Sequence, residues 1–319
     1  MKTLRKILLI LLLAMPLAAV GVYLFKTLDA KNGLTISSVT CILKDSRGFI
    51  WIGTPGGLYR YDGYTFRSFQ SNSQDGSSLL DSYVVSIQES LEGTLWIRTL
   101  SGVCIYHPQT ESFERDMKQV YSKMGIDGDI PSLVYIDKHK NLWAVVPSKG
   151  VMAYNMQQQQ HYEFGYGTDA NSVPSGEICS LSECRDGALL VYTDGRIVCC
   201  DITHQQHVVW QTDFIAEHEL RNSQTLKAFA DQMDNIWLYG QGTLMLYNKK
   251  ANTWNTTIGD QLGMTSLNAD RSVNGMAGDR SGNLWIATDR AGLVRSNVNT
   301  HEMETVQLNS AHSFQNPQL

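Results

Sequence analysis

Residues that could do chemistry are plentiful in this 319-residue chain, but few stand in a pattern that would let them act together. Eight histidines (His107, His139, His161, His204, His207, His218, His301 and His312) could hold a metal or move protons, yet none lies in a His-Glu-x-x-His arrangement. Six cysteines (Cys41, Cys104, Cys179, Cys184, Cys199 and Cys200) show no metal-ligand spacing. They read mainly as small buried apolar residues, with one bridge inside the 179–200 region left open. No glycine-rich loop precedes a helix, so nothing is set to cradle a phosphate. Paired carboxylates for glycosidic cleavage would need a geometry that spacing alone does not provide. The sequence therefore predicts no catalytic residue, no metal and no cofactor.

The polar groups that remain attractive gather at loop tips. Arg98, Lys149, Asp194, Tyr239, Gln241, Asp289 and Arg290 lie in or beside one set of loops. Asp81, Ser82, Tyr83, Asp129, Arg221, Asn222, Asp270 and Arg271 lie in a second set. A sugar needs planar polar groups for its hydroxyls and an aromatic face for its C–H groups. Tyr83 and Tyr239 could supply the face, and Arg98, Lys149, Arg271 and Arg290 would suit an acidic glycan. The plain alternative is that these are solvated loop residues. A net charge of −5 argues against a nucleic-acid partner, which calls for a basic face.

The elements that would position these loops are set by a repeat. Five segments, "FIWIGT", "TLWIRT", "NLWAVV", "NIWLYG" and "NLWIAT", place Trp51, Trp96, Trp143, Trp237 and Trp285 in the same context. Leu190 in "GALLVYT" occupies the sixth place, giving steps of 45, 47, 47, 47 and 48 residues. Asp45, Asp137, Asp231 and Asp279 each precede their Trp by six residues, and Gly48, Gly93, Gly187 and Gly282 stand three before it. Asp-x-x-Gly makes a tight turn, with Asp capping the backbone and Gly accepting positive φ. Each unit reads as four short strands A to D with hairpin turns. Four-stranded units of about 47 residues in tandem are propeller blades, because one sheet cannot cover both faces alone. The Trp of strand B is expected between blades.

The expected fold is thus all-β: a β-propeller over residues 37–307, with blades near 37–70, 81–116, 128–164, 175–210, 224–257 and 271–307. "YLFKTL" from Tyr23 resembles strand D of blade one, so residues 22–36 read as a lead-in with a lone closing strand, and 308–319 as the start of a further blade. A seven-bladed design stopping one blade short is the favoured expectation, and a closed ring of six is the alternative. Residues 1–21 carry Lys2, Arg5 and Lys6 before an apolar run, the layout of an export signal. Cleavage near Gly21 and retention as a membrane anchor are both open, and either places the remainder outside the cytoplasm.

The copy "DSRGFIWIGTPGGLYRYDGYTFRSF" resembles the regulator-propeller repeat of Bacteroidetes hybrid two-component systems, and the likeness extends over about residues 23–307. That resemblance implies a periplasmic sensor region, an oligosaccharide ligand, a homodimer, and control of carbohydrate-utilisation genes through a histidine kinase, a receiver and a DNA-binding domain. Those signalling parts have no counterpart in this sequence, so it would not relay phosphate itself and is not expected to be an enzyme. Arg98, Val145-Val146 and Leu190 depart from the repeat pattern. A protein-interaction scaffold is the main alternative, and a propeller lyase or glycosidase a weaker one.

Overall fold

The computed structural model describes residues 28–306 apart from 29, 37, 186, 212–225 and 264–270. The expectations for the export signal, for the strand at 23–28, for 308–319, and for Arg221, Asn222 and Asp270 lie outside the described residues. The unit Asp29–Val306 holds six four-stranded antiparallel sheets, a six-blade β-propeller. Blade one is β1–β4 (Cys41–Lys44, Ile50–Thr54, Gly57–Tyr61, Phe66–Phe69) and blade two is β5–β8 (Val84–Glu89, Leu95–Thr99, Gly102–His107, Ser112–Glu114). Blade three is β9–β12 (Leu133–Ile136, Asn141–Val146, Gly150–Asn155, Gln160–Gly165) and blade four is β13–β16 (Ile178–Cys184, Gly187–Tyr192, Ile197–Asp201, Gln206–Gln211). Blade five is β17–β20 (Lys227–Ala230, Ile236–Gly240, Thr243–Asn248, Thr253–Asn255) and blade six is β21–β24 (Val273–Gly278, Asn283–Thr288, Leu293–Asn297, Met303–Thr305).

The repeated Asp does more than cap a turn. In blade one Asp45 accepts from the backbone N–H of Arg47 and Phe49, at 3.1 and 2.9 Å, and its second oxygen accepts the Trp51 indole N–H at 2.9 Å. The same indole bond joins Trp143 to Asp137, Trp237 to Asp231 and Trp285 to Asp279, at 2.9, 3.0 and 2.8 Å. A buried indole N–H needs an acceptor, and a carboxylate already held by its own turn supplies it without extra ordering cost. The turn's left-handed position falls on Gly48, Gly93 and Gly282, and on Lys140 and Asp234 in blades three and five. The repeated Thr closes the B–C loop: Thr54, Thr99 and Thr288 donate to the carbonyls of Gly57, Gly102 and Gly292 at 2.8–2.9 Å.

Side-chain alternation then builds one apolar seam per pair of neighbouring blades. Trp51 packs with Ile97 and Tyr106 of blade two, Trp96 with Leu142 and Ala144 of blade three, and Trp143 with Ala188 and Val198 of blade four. Trp237 packs with Leu284 and Ile286 of blade six. Trp51, Trp143 and Trp237 are fully buried. Each such ring removes enough area from water to contribute roughly 4–6 kcal/mol as an upper figure. Trp285 of blade six is only half-buried, and its cross-strand neighbour Ala277 is exposed, as is Ala287. On blade one the matching face carries Ile52, Tyr59 and Leu34.

Blade four departs from the sequence reading in phase. Its A–B hairpin is short, with Cys184 opposite Gly187, so Gly187 lies in strand β14 rather than in the turn. Leu189, not Leu190, therefore takes the Trp place: it faces blade five with Val191 and Leu238, while Leu190 faces blade three. None of the six cysteines is joined in a disulfide. Cys104, Cys184, Cys199 and Cys200 are buried. Contact with Cys184 and then burial push the Cys199 thiol far up.

Among the described residues one α-helix interrupts the strands. Helix α1 (Lys118–Lys123) lies in the connection from blade two to blade three. It ends on Gly125 at φ 76°, with Ile126 N–H reaching back to Tyr121 and Gly125 N–H to Ser122, a Schellman closure. Buried Met117, Met124 and Ile126 anchor it into the seam between these blades.

Candidate functional site

The B–C loops and the connections entering strand A meet on one face of the propeller, where they are tied together residue by residue. Ser101 donates to Asp81 at 2.6 Å, and Asp81 also accepts from Tyr83 N–H at 2.9 Å. Ser148 donates to Asp129 at 2.9 Å, and Lys149 forms an ion pair with the same carboxylate at 3.2 Å. Asp289 accepts from Ser272 N–H at 2.9 Å. The hydrogen bond from Ser101 holds the Asp81 carboxyl below its ordinary range, and that from Ser148 does the same for Asp129. Several polar residues that looked free in the sequence are thus braces for the loop face.

Between the blade-two and blade-three loops the face opens into a cleft of about 800 Å³. Ser101 and Gly102 of the blade-two loop, Tyr121 and Ser122 of α1, and Asp129 and Ile130 of the connection into blade three line it. Tyr121 is partly buried, and burial pushes its phenol up to about 12. Its hydroxyl makes no hydrogen bond among the described residues. Arg98 stands beside this cleft, because it pairs across the sheet with Val103, which lines it. The Arg98 side chain takes the place of an apolar seam residue and is half-buried, and burial draws its guanidinium below the usual range. Among the described residues it has neither a carboxylate nor a hydrogen-bond partner. A cation in that state is poised for an incoming acceptor. Leu100 and Ile130, 69% and 80% exposed, and Tyr83, 37% exposed, are apolar groups on the same face.

The other candidates do not converge on this cleft. Tyr239 is buried in the seam between blades five and six, with its phenol pushed up to about 12 by burial, and it offers no face to a sugar. Asp194 pairs with Arg196 at 2.6 Å, and Arg196 in turn lies 4.6 Å from the Tyr192 ring centre. Arg271 donates to the Leu262 carbonyl at 2.6 Å, which fixes the 3-10 turn Ile258–Leu262 against strand β21. Gln241 lines a second opening, about 540 Å³, at the mouth of the central channel with Val39, Lys227 and Asn274. Arg290 is exposed on the blade-six loop. Tyr121 was missed in the sequence because no helix was expected there; "MKQVYSKMG" places Met117, Val120, Tyr121 and Met124 at helical spacing and carried the signal. Among the described residues, no helix is long and apolar enough to cross a membrane.

A family model described as "Two component regulator propeller" matches residues 33–56 and 266–290. A 57-residue stretch is 39% identical to histidine kinase P4 of Formosa agariphila, covering 18% of this chain and 4% of that protein. The fold is similar to the extracellular domain of a putative hybrid two component system from B. thetaiotaomicron, with TM-score 0.64 and 19% identity over 90% of this chain and 37% of that one. A second such domain from B. thetaiotaomicron gives TM-score 0.60 and 16% identity over 89% of this chain and 39% of that one. The chain thus spans well under half the length of these structures.

Proposed function

Starting from a chain that carries two-component regulator propeller repeats, we propose that it serves as the extracytoplasmic, periplasmic ligand-sensing propeller of a hybrid two-component sensor. The ligand is an oligosaccharide, and its capture is relayed by a histidine kinase and receiver of the full-length protein to carbohydrate-utilisation genes. No catalytic step is assigned to this chain. The observation that carries the reading is the cleft between blades two and three, lined by Tyr121 with its unpaired hydroxyl and by Val103, the cross-strand neighbour of the partnerless, half-buried Arg98. An aromatic wall suits the C–H face of a sugar ring, and the guanidinium suits a carboxylate or paired hydroxyls. A ligand that pairs with Arg98 relieves a desolvated charge, so its loss is expected to cost more than that of the braced Lys149. Titration calorimetry against neutral and acidic oligosaccharides tests this. The expected result is binding of an acidic oligosaccharide that weakens at least tenfold in Arg98→Ala and in Tyr121→Ala; absence of heat from every sugar overturns it.

A protein-interaction scaffold is the second reading, favoured by the exposed Leu100 and Ile130 on the same loop face. It predicts a polypeptide partner whose binding is lost in Ile130→Asp and survives Arg98→Ala.

A further inference from the structure

We infer that the opposite face of the propeller carries a second binding site, for a small phosphate or sulfate monoester that also bears a hydroxyl group. The site is a cleft of about 660 Å³ between the A–B turns of blades three and four, closed at the side by their C–D turns. Lys138, His139, Lys140 and Arg185 line it together with Asn141 and Thr203. Lys138, His139 and Arg185 are exposed, and their side chains make no ion pair or hydrogen bond among the described residues. Lys140 donates to the Glu89 carbonyl at 2.8 Å, which uses a proton and leaves the charge uncancelled.

The nearby carboxylates are occupied. Asp137 takes the Trp143 indole at 2.9 Å and Asn141 through both its backbone and side-chain N–H groups at 2.8 Å. Glu183 accepts from Lys138 N–H at 2.7 Å, and Asp201 from Thr203 N–H at 2.7 Å and from His204. Asp137 lines the cleft too, and these carboxylates keep their charge, but they spend their acceptor positions on the donors named, so the solvent-facing, unpartnered Lys138 and Arg185 are left to take an anion.

Asn141 adds an independent requirement. It is 5% exposed, and its side-chain oxygen is buried with no hydrogen-bond partner. The amide cannot be turned round, because its nitrogen donates to a carboxylate oxygen of Asp137 at 2.8 Å. Asn235 and Asn283 make the same bond in blades five and six, at 3.2 and 2.9 Å, and neither leaves a buried oxygen orphaned. Blade three alone among these three leaves its buried amide oxygen without a donor, and Asn141 is one of the residues that line the cleft carrying the cations. The occupant must bring both negative charge and an O–H donor, which excludes a bare sulfate ion and an uncharged polyol as full ligands.

The test is calorimetry on the whole chain at low and moderate salt, with glycerol 3-phosphate, inorganic sulfate, glycerol, and vesicles containing phosphatidylinositol 4-phosphate, whose headgroup is a phosphomonoester that bears hydroxyls. Glycerol 3-phosphate is expected to bind at least tenfold more tightly than sulfate or glycerol, and more weakly as salt rises. The double variant Lys138→Ala/Arg185→Ala should lose at least tenfold in affinity while its unfolding midpoint stays unchanged, since both side chains are solvent-facing. Binding to vesicles with no binding of the free ester assigns the monoester to a lipid headgroup; binding of the free ester alone assigns it to a soluble metabolite. Equal affinity for sulfate and glycerol 3-phosphate, no binding of any probe, or undiminished binding by the double variant overturns the inference.

Discussion

Replacing Asp231 by Ala should destabilise the propeller by about 3–5 kcal/mol, far more than one turn-capping residue ordinarily contributes. Asp231 is 8% exposed and accepts four N–H groups: Met233 and Asn235 backbone at 2.9 Å, the Asn235 side chain at 3.2 Å, and the Trp237 indole at 3.0 Å. Trp237 is fully buried in the seam between blades five and six, so its orphaned indole N–H has no water to turn to. Leaving a buried donor unmade costs about 1–3 kcal/mol, and the substitution strands the indole together with the buried Asn235 donors. Asp279→Ala removes the same set of bonds in blade six, but Trp285 is half-buried there and water can reach it, so the loss should be clearly smaller. Urea unfolding followed by tryptophan fluorescence reads both variants. The reasoning is refuted if Asp231→Ala shifts stability by less than about 1 kcal/mol, or if the two variants lose equally.

Three further outcomes follow from the same geometry. Asp279 has its carboxyl lowered to about 2, chiefly by the Asn283 backbone and side chain, while its unfolded value is about 3.9. A depressed folded value means the contribution is complete above about pH 4 and is lost as pH falls toward 2, so urea midpoints should decline over that window and decline less steeply in Asp279→Asn. Gly150 sits at φ 122° with the Phe164 carbonyl where a Cβ would go, so Gly150→Ala should cost about 2 kcal/mol or more by thermal unfolding, whereas Gly128→Ala, with open space around it, should cost less. Native-state alkylation followed by peptide mass spectrometry should label Cys41 and Cys179 before the buried Cys104, Cys184, Cys199 and Cys200.

The fold was legible because the propeller repeats one local solution. Asp-x-x-Gly, the strand-B Trp and the loop Thr each answer a backbone or packing demand that recurs in nearly every blade, so spacing alone exposes them. Where blade four shortens its A–B hairpin, the count slips by one residue, and the side chain that replaces Trp is Leu189 and not its neighbour. Period-two alternation makes such a slip reverse every facing in a strand, and hairpin length is not encoded in the apolar pattern. The site was less legible. Loop polarity picked out Asp81, Asp129, Lys149 and Asp289, which turn out to brace the loops to one another, because sequence cannot show which loop tips meet. Tyr239 looked like a loop-end aromatic, yet its strand phase turns it into a seam. Arg98 drew notice as a charge in a place the repeat gives to Gly or an apolar residue, and the structure leaves it half-buried there. Tyr121 was hidden in a helix of under two turns, whose stability comes from Met117, Met124 and Ile126 packing and not from local propensity.

The claim that the blade-two and blade-three cleft is where this propeller senses its ligand is tested most directly by amide hydrogen exchange with and without a bound oligosaccharide. Slowed exchange confined to residues 99–103 and 117–130 is the predicted result. Protection centred on the channel mouth around Gln241 and Asn274, or none at all with the sugar bound, would contradict it.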